Sequence, residues 1–143
     1  LTNTVAANLR DVTLTRSLVY SMDRYSMSSE FPTRNPLLST IVSMFSVTSP
    51  SFTGAIGTIG SSNIDIEDGT MKIIVCDSMA DGSIYTLYFG PNKLIAPNPI
   101  NISTQPTRII FKRQGQCAKL LFNATGDNNL GSWILLSGGV YVE

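Results

Sequence analysis

From Asn63 to its last residue the chain is a near-continuous series of short apolar runs, separated by Gly, Pro, Asn and Asp. "MKIIVCD" and "SIYTLYF" flank "SMADG", whose Asp81-Gly82 is a tight-turn signal. "TRIIFKR" and "CAKLLFN" flank "QGQ", and "SWILLS" and "VYVE" flank Gly138-Gly139. The runs are rich in β-branched and aromatic residues and fall short of the roughly 10–12 residues that mark a helix. They predict three hairpin-like units. Between the first two, "GPNKLIAPNPINISTQP" carries four prolines, so it is a long connection or an edge. Many short strands at close spacing predict an all-β fold, an antiparallel β-sandwich or jelly-roll-like domain.

The N-terminal part is less regular. From Asp11, Val12, Leu14, Leu18 and Tyr20 alternate with polar residues, which predicts a half-buried strand interrupted at Arg16. "SMDRYSMSSEFPTRNP" reads as a loop by composition. "NPLLSTIVSMF" predicts one short helix near residues 36–46. Asn35 is its N-cap, Pro36 its first residue, and Leu37, Leu38, Ile41, Val42 and Phe45 its apolar face. Its Ser, Thr, Ile and Val are poor helix formers. "TGAIGTIGSSN", with Gly54, Gly57 and Gly60, reads as a glycine-rich loop or an edge segment with bulges.

At 143 residues, one domain over residues 1–143 is the expectation. Because the chain begins at Leu1, it is expected to be an excerpt or a processed part of something longer. Only 14% of residues are charged, against about 25% in ordinary globular domains. With 43% hydrophobic residues, disorder is excluded. No apolar run reaches the roughly 18–20 residues of a membrane helix. Net charge is zero. The best basic cluster, Lys112 and Arg113 with Arg108 and Lys119, is expected to be a solvated strand face rather than a nucleic-acid site.

Histidine is absent, which removes Ser-His-Asp and Cys-His catalysis and most catalytic zinc sites. Cys76 and Cys117 lie in apolar runs and form no C-x-x-C pair. Buried free thiols are the plainer reading, with a cross-strand disulfide left open. Asp65 and Glu67, two apart on a strand, would share a face as paired acids, but acidic residues around exposed turns are the plainer account. The same stretch fails the EF-hand pattern. "GDNNLG" offers Asp127, Asn128 and Asn129 as oxygen ligands but reads first as a turn. Two N-x-S/T sequons, at Asn101 and Asn123, are what chance gives in so Asn-, Ser- and Thr-rich a chain. No catalytic residue, metal or cofactor is expected. The candidate ligand-binding residues are Asp127, Asn128 and Asn129 with Trp133, the only tryptophan. For Trp133, core packing is the plainer expectation.

Over roughly residues 83–140 the chain resembles a known pattern. "RIIFKRQGQCAKLLFNATGDNNLGSWILLSGG", with "DGSIYTLYFGP" upstream, resembles C-terminal β-domains of fibre, spike and surface proteins of phages and large DNA viruses. In these an apolar strand, here Leu120 to Phe122, ends in a Gly, Asn or Asp loop. A strand led by tryptophan, here Trp133 to Leu136, follows. The resemblance implies a virion structural or attachment protein, without enzyme activity, located on the virion or outside the cell. It implies a homotrimer whose partners are its own copies, other virion proteins and a host receptor or glycan. No catalytic or receptor-binding residue carries over. The alternative is a carbohydrate-binding module with Trp133, Tyr85 or Tyr88 stacking on sugar rings. A third reading, a small hydrolase on Asp65 and Glu67, lacks a positioned acid–base pair in a water-excluding cleft.

Overall fold

The computed structural model describes residues 20–30, 35–48, 55–59, 66–90, 92–96, 106–129 and 131–143. These carry strands β1 (Met22–Met27), β2 (Val42–Val47), β3 (Ala55–Ile59), β4 (Met71–Met79) and β5 (Tyr85–Phe89). They continue with β6 (Leu94–Ile95), β7 (Arg108–Phe111), β8 (Cys117–Asn123), β9 (Ser132–Gly138) and β10 (Tyr141–Val142). The strands form a six-stranded sheet, order β1-β2-β4-β8-β9-β6, and a four-stranded sheet, order β10-β7-β5-β3. The fold is all-β and sandwich-like, as the strand density predicts. No helix among the described residues is long and apolar enough to cross a membrane.

Alternation assigns each strand its faces. In β8, Ala118, Leu120 and Phe122 are buried while Cys117, Lys119 and Leu121 are only half-buried. The inner faces of the two sheets meet through aromatic rings. Phe45 of β2 stands 4.5 Å from Tyr85 of β5 and 5.0 Å from Phe111 of β7, centroid to centroid. Such contacts add about 0.5–1.5 kcal/mol each beyond the area they bury. Phe122 and Trp133, 5.1 Å apart, close the other end of the core. The terminal residue is held too, since Glu143 donates its N–H to Arg108 O and accepts from Thr107 N–H.

The three expected hairpins are not hairpins. Strands β4 and β5 lie in different sheets, as do β7 and β8, and β9 and β10. The turn signals are real: Ser83 N–H bonds Ala80 O at 3.0 Å, and Gly82 has φ +74°. Each turn carries the chain across the sandwich instead of reversing it in the sheet plane. Both flanking runs own a buried face, and each arch sets those faces opposite one another. The buried Gln116 ties two arches together. Its carbonyl oxygen accepts from Lys112 and Arg113 N–H, and its amide donates to Gly139 O.

Pairing is mixed. Strands β4-β8-β9 and β5-β7-β10 are antiparallel as expected, whereas β1-β2, β2-β4, β3-β5 and β6-β9 are parallel. Parallel neighbours need a crossover, which strand content does not reveal.

The helix expected near residues 36–46 is corrected to a turn followed by β2. Leu37 and Leu38, assigned to its buried face, are exposed. Ser43, Phe45 and Val47 point inward at period two. The β-branched content and two flanking strands outweigh a helical spacing that was coincidental. The stretch "SMDRYSMSSEFPTRNP" is likewise corrected, because it contains β1. The glycine-rich stretch supplies β3 at one edge of the smaller sheet. The proline-rich connection supplies β6 at an edge of the larger one, as expected. The strand expected from Asp11 falls on residues outside the described set, apart from Tyr20.

Candidate functional site

The four sequence-derived ligand residues do not form one surface. Trp133 is fully buried, with its ring facing the inside of the sandwich. Asp127 and Asn128 lie in the Gly126–Asn129 turn with left-handed φ of 48° and 55°. The Asp127 carboxylate is taken by Lys93, Nζ to Oδ2 2.9 Å, and the same ammonium bonds Gly131 O at 3.1 Å. Asn128 is exposed, and the Asn129 side chain lies outside the described set. The turn reading of "GDNNLG" therefore holds. Of the aromatic platforms named for sugar stacking, Tyr85 and Trp133 are fully buried, and only Tyr88 is half-exposed.

This turn depends on Gly131, whose φ is +85° and whose Cα faces the Phe122 ring. A Cβ there would stand 2.3 Å from Phe122 Cζ. Gly131→Ala is expected to cost roughly 2–4 kcal/mol, combining left-handed strain with overpacking. Urea unfolding checks this, and a midpoint equal to wild type would refute the contact.

Other candidates separate in space. Asp65 lies outside the described set, and Glu67 sits exposed before a turn. Cys76 points inward and Cys117 outward on the neighbouring strand, so both are free and the open disulfide reading is excluded. Burial pushes the Cys76 thiol up to about 11. The supposed basic cluster is split. Lys119 lies on the outer face of the larger sheet, while Arg108 pairs with Glu143 and Lys112 sits 4.3 Å over the Tyr141 ring.

One ionic cluster escaped the sequence reading. Lys72 on β4 is 1% exposed and points into the sandwich. Its ammonium donates to Leu37 O at 2.5 Å, Thr40 O at 2.8 Å and Thr40 Oγ1 at 3.0 Å, with Asp23 Oδ1 at 3.5 Å. Asp23 also accepts from Thr40 and Ser43 hydroxyls and, at 3.4 Å, from Leu37 N–H. Burial pushes the Asp23 carboxyl up. Ser43, Thr40, Lys72 and Leu37 together outweigh it and hold the carboxyl below its usual range. Burial draws the Lys72 ammonium below its usual value, partly offset by Asp23. A protonated amine holding these acceptors has no lone pair to act as a base, and its burial keeps substrates away. The cluster clamps the 37–40 turn to β1 and β4.

The outer face of the six-stranded sheet is the most unusual surface. Across the strands, Met22, Val42 and Ile73 lie in register in one row, which continues through Lys119 to Ser137. A second row runs Arg24, Met44, Val75, Cys117. A third runs Met71, Leu121, Ile134, Ile95. These side chains are half-buried, apart from Arg24, Met22 at 48% and Ile95 at 38% exposure. An antiparallel sheet facing water on one side alternates apolar with polar residues. On this outer face most positions are apolar as well, with Ser26, Ser46, Ser137 and the charged Arg24, Asp77 and Lys119 among them. All the described strands already belong to the two sheets, so among the described residues no strand is left to cover it.

Neither family models nor curated proteins, compared with the chain, give a match.

The signal for this face was present in the sequence. "IIVC" and "LLF" are continuous apolar runs rather than alternating ones, the pattern of strands buried on both sides. Each run also satisfies a simpler description as one core strand, so the pattern alone does not single this face out.

Proposed function

We propose that this chain is a non-enzymatic structural or attachment protein of a virus or phage particle, a β-sandwich module serving particle assembly or host-receptor binding. Its place is the virion or the extracellular space, and its partners are copies of itself and other particle proteins. The observation that carries this reading is the apolar outer face of the six-stranded sheet. A surface of that kind is costly to leave in water and marks an interaction site. The low charge, the absence of histidine and the resemblance over residues 83–140 point the same way. The carbohydrate-binding alternative is weakened, since two of its three stacking platforms are inside the core.

The test is location. Antibody raised against the chain is expected to label purified particles by immunogold microscopy, and peptides of the chain to appear in their mass spectra at structural-protein abundance. Particles free of the chain would end this reading.

A further inference from the structure

We propose that the outer face of the six-stranded sheet packs against the same face of a second copy of this chain. The inference rests on the assembly reading above and names the contact. Five full strands at about 4.8 Å spacing and about five residues at about 3.3 Å rise, with the two-residue β6 beside them, give a face of roughly 400 Å² in projection. Two such faces in contact bury roughly 800 Å² in projection, the scale of a weak, concentration-dependent interface rather than a standard one.

Charge selects the occupant. Arg24 and Asp77 neutralise each other at 3.5 Å on this face. That leaves Lys119 as its one charge without an ion pair among the described residues. A strongly charged partner, nucleic acid included, finds almost nothing to pair with here. A neutral apolar face is the complement, and this chain, with net charge zero, both presents one and does not repel its own copies.

Same-face contact is two-fold. Twisted sheets stack face to face at about 10 Å with strands near −30°, interdigitating branched and thioether side chains. The geometry therefore points to a pair, where the sequence resemblance alone implied a trimer. The free sheet edge adds no comparable contact. β6 is two residues long and β1 six, so an edge-to-edge copy gains a single short ladder against the whole width of the face.

Three of the five methionines, Met22, Met44 and Met71, are on this face, while Met27 is fully buried in the core. They make a probe that needs no mutation. Peroxide oxidation of the wild-type chain is expected to slow at least tenfold at Met44 and Met71 as concentration rises. Light scattering should report twice the single-chain mass over the same range. Ile73→Glu and Val75→Glu are expected to return single-chain mass, with circular dichroism and Trp133 fluorescence unchanged. A single-chain mass at every concentration, or an odd-numbered oligomer, overturns the two-fold contact. So does a pair whose Met44 and Met71 oxidise at the monomer rate. A chain found in particles yet failing these tests removes this contact and leaves the particle reading standing. A chain that pairs through this face but is missing from particles does the reverse.

Discussion

Lys72→Met is expected to lower the unfolding free energy by about 3–5 kcal/mol, the usual cost of breaking a buried ion pair from one side. The methionine keeps most of the lysine stem, so the loss isolates the ammonium. Asp23, with 11% of its side chain exposed, keeps its charge without a counter-ion. Leu37 O and Thr40 O lose their donor in a partly buried site. The 37–40 turn then loses its anchor to β4, and β1, at the sheet edge, loses its ion pair to β4 across β2. Urea unfolding reads the effect as a fall in midpoint at constant slope. A change below about 1 kcal/mol would refute the clamp.

Adding Asp23→Asn to Lys72→Met should recover part of the loss, because the stranded charge is gone. The pair should be clearly less damaging than the sum of its singles.

The same cluster fixes a pH dependence. Asp23 has a depressed folded value, so its contribution is present above the ordinary carboxylate value. It is lost as pH falls through the folded one. Acid unfolding should therefore steepen in that window for wild type and flatten in Asp23→Asn. Lys72 is also depressed, so the unfolded chain binds more protons between the folded and ordinary lysine values. Stability should rise with pH there, and Lys72→Met should abolish the rise.

Trp133→Ala is expected to cost about 3–5 kcal/mol, as for other large aromatic truncations in a core. Trp133 pairs across β9 with Phe122 on one side and Leu94 on the other. Its loss opens a cavity between three strands, one of them the two-residue β6. Trp133→Phe should be far milder. It gives up part of the ring, but it also removes an indole Nε1–H that has no hydrogen-bond partner among the described residues. A buried donor left unpaired costs about 1–3 kcal/mol, which offsets much of the lost packing. Circular dichroism in urea is the readout, since fluorescence disappears with the residue. If Trp133→Ala unfolds at the wild-type midpoint, Trp133 is not core.

Much of the fold was legible because strands are local events. Period-two runs such as "CAKLLFN" and turn pairs such as Asp81-Gly82 announce themselves in the chain. So does the prolines' exclusion from central strands. Residues 36–46 read as a helix because Leu37, Leu38, Ile41, Val42 and Phe45 satisfy helical spacing by accident. Only β1 and β4 on either side of β2 settle the matter. Lys72 was invisible as a core residue, since nothing in "MKIIVC" says that a lysine at an inward position will meet Asp23, Leu37 and Thr40. The candidate ligand residues came apart for a related reason. Asp127 and Trp133 are near in sequence, but one lies in a surface turn and the other points inward from a strand.

Local signals in the chain suffice to make it all-β, to place most strands and turns from residue 71 onward and to close histidine chemistry to it. Alternation, turn propensity and composition act over a few residues, so they can be read a few residues at a time. Long-range packing makes the turns arch between sheets, makes four pairings among the described strands parallel and brings a lysine and an aspartate together inside the sandwich. The same packing leaves the outer face of one sheet mostly apolar. Those outcomes depend on which strand lies beside which, and strand order is fixed by the packing of distant segments rather than by any single run.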